Sequence, residues 1–275
     1  MLSKNKLNRL YFLGFILFLM SSCTGYNKLL KSSDLTLKYE KAKEYYNAEK
    51  YYRAYPLFEE LVTVYRGTSK AEELVYLFAY TDYHLGDYLL AGHRFEQFTK
   101  TFPTSKYVEE CDFMSAYCDY LLSPNYSLDQ EFTISAINAL QLFIDNHPRS
   151  SRIDTCNILV EELEYKLEKK AYKASKQYLK MEDYNAACVT FQNLLNEFPD
   201  TEYREEIYFL TFKARYSLAR KSVEKKKLER IEDAFKAYVT FVDRFPQSEY
   251  ITEAETYYNE LQYLKEKTLS VENKK

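Results

Sequence analysis

Apolar residues recur along this chain with the period of a helix, and the same short pattern comes back at intervals. In the stretch from Asp183 to Tyr203, Ala187 and Phe191 lie four residues apart on one helical face, Pro199 stops the helix, and Thr201 stands where the next one starts. Ala91, Phe95 and Pro103 repeat that spacing, as do Ala136, Leu140 and Pro148, and Ala234, Tyr238 and Pro246. Ala54 and Phe58 form a degenerate first copy in which Arg66-Gly67 replaces the stopping Phe-Pro. Copies spaced by roughly 35 to 50 residues mark a helical repeat array. No sustained alternation of apolar and polar residues supports a sheet.

The pattern predicts an all-α fold, an α-α superhelix of about five helix pairs over residues 35–269, with a helix from Ser248 to about Leu269 as the terminal cap and 270–275 as a disordered tail. Pro56 is expected in the first turn of its helix, and Ser69 with Glu72 is expected to form a capping box. No breaker interrupts the segment from Ser150 to Met181, so one long helix is expected there. Small residues at Ala42, Ala79 and Ser175 fall where paired helices must approach closely. One pair cannot bury its own apolar face; stacking completes it and leaves a concave surface.

The amino terminus departs from this pattern. Lys4, Lys6 and Arg9 precede an apolar run from Leu10 to Met20 that is short for a membrane span but suits a secretory signal. Ser21, Ser22 and Cys23 follow, and small residues before a cysteine resemble a bacterial lipobox. The resemblance implies a signal peptide over 1–22 and an acylated Cys23 carrying amide- and thioether-linked chains, with 23–34 as a tether. More than one acyl chain gives lasting attachment, at about 0.8 kcal/mol per buried methylene. Thr24, rather than aspartate, after the cysteine points to the outer membrane.

Composition narrows the function. The formal net charge is −3, and the three cations before Cys23 leave the remainder more acidic still. That balance does not suit a nucleic-acid binder. Tyrosine is abundant, at 29 residues, with no tryptophan. The surplus serves either helix-pair packing or an aromatic binding groove. Only three histidines are present, with no phosphate loop and no nucleophile elbow, so neither catalytic nor metal-ligating residues are expected. Cys111 and Cys118 lie two helical turns apart, too far to bridge, and with Cys156 and Cys188 are expected as free thiols.

The second copy, with Ala79, Gly86-Asp87-Tyr88, Ala91, Phe95 and Pro103, resembles the tetratricopeptide repeat. Asp82 departs from it, standing where that family has an aromatic residue. A lipobox, about five repeats, and Phe-Pro junctions at Phe102 to Tyr107, Phe198 to Tyr203 and Phe245 to Tyr250 resemble the BamD family of outer-membrane β-barrel assembly lipoproteins. The resemblance implies a scaffold facing the periplasm that docks on a BamA-like barrel protein, alongside other assembly lipoproteins, and receives unfolded barrel precursors. Another periplasmic repeat adaptor and a nutrient-binding lipoprotein are the alternatives. In tetratricopeptide arrays the first helix of each pair lines the concavity. This places Tyr39, Lys43, Tyr46 and Asn47, with Tyr76, Tyr80, Tyr83 and His84, in a candidate peptide groove. Tyr76, Tyr80 and Tyr83 share one face, either as a peptide shelf or as packing against a neighbouring helix. The basic residues Arg220, Lys221, Lys225, Lys226, Lys227 and Arg230 form a candidate docking run, or else a solvated helix end. No cofactor is expected beyond the lipid on Cys23.

Overall fold

A computed structural model of the chain describes residues 25–272, and every regular element among them is helical. A short α1 (residues 25–30) precedes α2 (Leu35–Asn47), α3 (Tyr51–Val64), α4 (Ala71–Leu85), α5 (Tyr88–Thr101), α6 (Val108–Leu122), α7 (Glu131–Asn146), α8 (Ile153–Lys180), α9 (Tyr184–Glu197), α10 (Arg204–Arg220), α11 (Glu224–Arg244) and α12 (Ile251–Glu272). Helices pack in consecutive neighbouring pairs, the arrangement of a helical repeat. The long uninterrupted helix expected after Ser150 is α8.

The turn inside a pair is built the same way three times. Glu49, Gly86 and Glu182 all take a left-handed backbone, with φ of 57°, 82° and 63°. At each, the next amide reaches back five residues: Lys50 to the Tyr45 carbonyl, Asp87 to Asp82, and Asp183 to Tyr178. This is the Schellman closure, which favours glycine. The Asp87 and Asp183 carboxylates then accept from the amides of Leu90 and Ala186 and cap the second helix.

The junction between pairs also repeats. Phe102, His147, Phe198 and Phe245 cap their helices at the C-terminal end, and proline follows each. The hydroxyls of Ser105, Ser150, Thr201 and Ser248 then accept from the amide two residues on, at 3.1 to 3.2 Å. They cap a turn ahead of the helix rather than the helix itself, whose N-caps are Tyr107 and Tyr203 for α6 and α10.

The chain divides into two compact units. Among the described residues the first holds 25–124 and 130–163. Its cores gather Phe58, Leu61 and Phe78 near the start, and Phe95, Phe98, Leu140 and Phe143 further on. The second holds 125–129 and 164–272, with Phe191, Phe212, Ile231 and Phe241 inside. Ala42, Ala54, Ala79, Ala91, Ala136, Ala187 and Ala234 are fully buried, and Ser175 nearly so, where the sequence spacing requires small residues.

Four details refine the sequence reading or differ from it. Within the expected tether, residues 25–30 are helical and packed on the body: Leu29 is buried with Leu57 and Phe58, and the Tyr26 hydroxyl donates to the Arg53 carbonyl at 3.0 Å. Pro56 lies in the second turn of α3, so the Tyr52 carbonyl loses its intrahelical donor at a position open to water. Ser69 and Glu72 form no capping box; Lys70 is the N-cap, and Glu72 instead accepts from Ser105. Helix α12 runs on to Glu272, past the expected start of the tail. Residues 1–24, and with them the signal segment and Cys23, lie outside the described residues.

Candidate functional site: the first-helix face

The first helices of successive pairs are α2, α4, α6, α8, α10 and α12. A tyrosine on one bonds a glutamate on the next, over and over. Tyr39 donates to Glu73, Tyr80 to Glu110, Tyr120 to Glu162, Tyr172 to Glu206, and Tyr216 to Glu260. A cation often shares the carboxylate: Lys43 on Glu73 and Lys176 on Glu206, each at 2.7 Å, Arg152 on Glu110, and Arg220 on Glu260 at 3.6 Å. In three cases the tyrosine and cation are four residues apart on one helix, so a single glutamate faces both. Burial first, then the glutamate, pushes the Tyr172 and Tyr216 phenols up to about 12. The hydrogen bonds from Lys43 and then Tyr39 hold the Glu73 carboxyl below its ordinary value.

Rings close the same seam. Tyr107, Tyr203 and Tyr250, which end the three Phe-Pro junctions, stack on Tyr76, Tyr172 and Phe209 with centroids 4.3, 3.9 and 4.6 Å apart. Much of the tyrosine surplus is therefore a packing device of the repeat.

The eight candidate groove residues divide accordingly. Tyr39 is buried and, with Lys43, is held by Glu73. Tyr76 is sandwiched among Tyr80, Phe98 and Tyr107, and Tyr80 packs on Phe95 while bonding Glu110. Tyr83 rests against Tyr88 and His84. The tyrosine stripe is thus mostly spent on packing between hairpins, and the open shelf is smaller than the sequence suggests.

What stays accessible lies at one end. Asn47 and His84 are exposed, and Tyr46 is half-buried against Tyr51, Phe58 and His84. The His84 ring stacks on Tyr51 at 4.4 Å. Together with Glu49, Lys50, Tyr52, Arg53 and Leu85 these two rings line a shallow depression of about 320 Å³. Tyr52 is 83% exposed beside it. Partial desolvation against the neighbouring rings lowers the His84 pKa, with Glu49 opposing it. Sequence alignment of the copies finds His84 but misses Tyr51 and Tyr52, because those belong to a second helix.

The basic run is not one patch. Arg220 bonds Tyr216 and Lys221 bonds Glu182 at the end of α10; Lys227 pairs with Glu224 at 2.5 Å, and Arg230 donates to Ser222 at 2.6 Å. Lys225 and Lys226 are exposed on the first turn of α11. Cys111, Cys118, Cys156 and Cys188 are all free thiols. Among the described residues no cluster could hold a metal ion, and no helix is long and apolar enough to cross a membrane.

A family model described as YfiO, outer membrane lipoprotein, matches residues 32–230. That span takes in α2 to α10 and reaches into α11. No curated protein matches the chain.

Proposed function

Because the chain belongs to the YfiO family of outer membrane lipoproteins, we propose that it is a lipid-anchored scaffold, of the BamD type, in outer-membrane β-barrel assembly. Cys23 carries the acyl chains and holds the helical body at the periplasmic face of the membrane. The body docks on a BamA-like barrel protein beside other assembly lipoproteins and receives unfolded barrel precursors. It works by presenting surface, not by catalysis.

The family match is the observation that carries this reading. The geometry adds a location. The Tyr51–His84 stack, with Tyr46 and Asn47 beside it, is an accessible aromatic surface on the first unit. It suits an aromatic-ended precursor segment, since stacked rings contribute about 0.5–1.5 kcal/mol beyond their area. The exposed cations Lys225 and Lys226 are what remains of the candidate docking run for the barrel partner, since Arg220, Lys221, Lys227 and Arg230 are engaged within the chain.

Purification of the tagged chain from detergent-solubilised outer membrane tests the assignment. Co-recovery of a large barrel with periplasmic repeat domains is expected. Recovery of a TonB-type transporter instead would make the chain a nutrient-binding lipoprotein, and recovery of secretion components would make it a different adaptor. Cys23→Ala should move the protein from the membrane to the soluble periplasmic fraction. The double variant Tyr51→Ala and His84→Ala should weaken binding of a barrel C-terminal peptide while the helical CD spectrum is unchanged.

A further inference from the structure

We propose that the groove between α5 and α7, on the second-helix side of the first unit, receives an amphipathic helix bearing lysine or arginine from a partner protein. The two helices flank α6 and leave a trough of about 500 Å³ above it. Leu89 on α5 and Leu142 on α7 line its two walls, 60% and 58% exposed. Its floor is shallow because Gly92 brings α5 hard against α6: a Cβ there would lie 3.1 Å from the Cys118 Cβ, and the Ser115 hydroxyl donates to the Gly92 carbonyl at 3.1 Å.

Charge selects the occupant. Glu96, Asp112 and Asp119 line the trough beside His93, and no lysine or arginine does; Glu96 already meets Lys100 at 2.7 Å, so the selecting charge rests on Asp112 and Asp119. Asp112 and Asp119 are each held by one oxygen, through His147 at 2.8 Å and Ser135 at 2.7 Å, which leaves the other oxygen for an incoming cation. The sign is not forced by the architecture. A matching trough in the second unit lies between α9 and α11 over α10, and there Arg215, Lys226 and Arg230 line it together with Glu229 and Asp233, so its charge is mixed. Asp119 and Arg215 occupy the same repeat position, 16 residues after Pro103 and Pro199. The acidic trough repels anionic headgroups and anionic peptides alike.

Length selects the form. The α7 wall from Ser135 to Asn146 is about 16 Å long, three helical turns, room for apolar anchors at i, i+4, i+7 and i+11. Among the described residues there is no strand edge to which an extended segment could add.

The test places p-benzoylphenylalanine at Leu142 in the full-length, membrane-anchored chain, with Val239 on α11 as the control, followed by irradiation of cells and mass spectrometry of the joined peptides. The expected adduct at Leu142 is a protein segment with apolar residues three or four apart and at least two flanking lysines or arginines. Asp119→Arg should cut its yield by at least about tenfold. Asp119→Asn, which keeps an acceptor for Ser135, should cut it less, with CD spectra and melting unchanged in both. An adduct no stronger than the control, an adduct to lipid, to a second copy of this chain or to an acidic segment, or a yield indifferent to Asp119→Arg, would each overturn the proposal. None of these outcomes bears on the barrel partner or the Tyr51–His84 surface.

Discussion

The Tyr39 hydroxyl donates to the Glu73 carboxylate across 34 residues of sequence, joining the first helix of one pair to the first helix of the next. The Lys43 ammonium meets the other oxygen of that carboxylate at 2.7 Å. Removing Glu73 leaves the buried phenol without its acceptor and the lysine without its counter-ion. Glu73→Ala should destabilise the first unit by about 2 kcal/mol, in the range for hydrogen bonds to charged groups. Lys43→Met should cost less than about 1 kcal/mol, because its pair is half-exposed. Urea unfolding monitored by CD measures both. Equal losses in the two variants would show that the phenol contributes nothing.

The same carboxylate makes a pH prediction. Its folded pKa lies below the ordinary 4.5. Its stabilisation is therefore complete above that value and is lost as pH falls through the lower, folded one. Glu73→Gln should flatten the acid limb of the stability curve below about pH 4.5 and leave the slope near neutrality untouched. An acid limb identical to the parent protein's would remove Glu73 from the account.

The turn at Glu49 offers a gain. Its left-handed backbone costs a non-glycine residue roughly 1–2 kcal/mol, and glycine returns part of that as unfolded-state entropy. Glu49→Gly should raise stability by about 0.5–1 kcal/mol, and the melting temperature with it. Gly86→Ala, at φ 82° with open space around the position, should lower stability through backbone strain alone. Opposite signs are the expected result; a loss in both would mean that the Glu49 side chain matters more than its backbone.

Thiol chemistry should be silent in the folded protein. Burial pushes Cys111 and Cys118 up to about 12 and raises Cys156 and Cys188 as well. A protein with Cys23→Ser should react with Ellman's reagent at none of its four remaining cysteines until it is unfolded. Rapid reaction of one equivalent at neutral pH would identify Cys188, the least buried, as an accessible site.

Much of this architecture was legible because the repeat writes its constraints into single residues. The alanine, the apolar residue four later and the proline twelve later mark helix, core and stop, and Ala187, Phe191 and Pro199 occupy those places. The junction residues were legible as a pattern but not as a mechanism. Tyr107, Tyr203 and Tyr250 recur visibly, yet that they stack on Tyr76, Tyr172 and Phe209 needs the distance across a helix pair. The choice between peptide shelf and packing, left open along the candidate groove, needs the same distance. Tyr39, Tyr76 and Tyr80 lie on the first helices as expected, but periodicity cannot tell a ring that faces a ligand from one that faces the next repeat. The glutamate partners were hidden among many surface acids. The sequence reading missed them; the four-residue spacing of Tyr39 with Lys43, Tyr172 with Lys176, and Tyr216 with Arg220 is the signal that could have pointed to a shared acid.

The junction hydroxyls carry a consequence for how such a chain changes length. Ser105, Ser150 and Thr201 each accept from an amide just ahead and donate to a glutamate on the preceding first helix: Glu72, Glu109 and Glu168. Each new helix is launched from a point its predecessor has already fixed. Duplicating a whole hairpin would carry one complete link along with it, while inserting a single residue would sever one. Growth by hairpin-sized steps is the mode that such a chain tolerates, and its partners would meet added surface in the same increments.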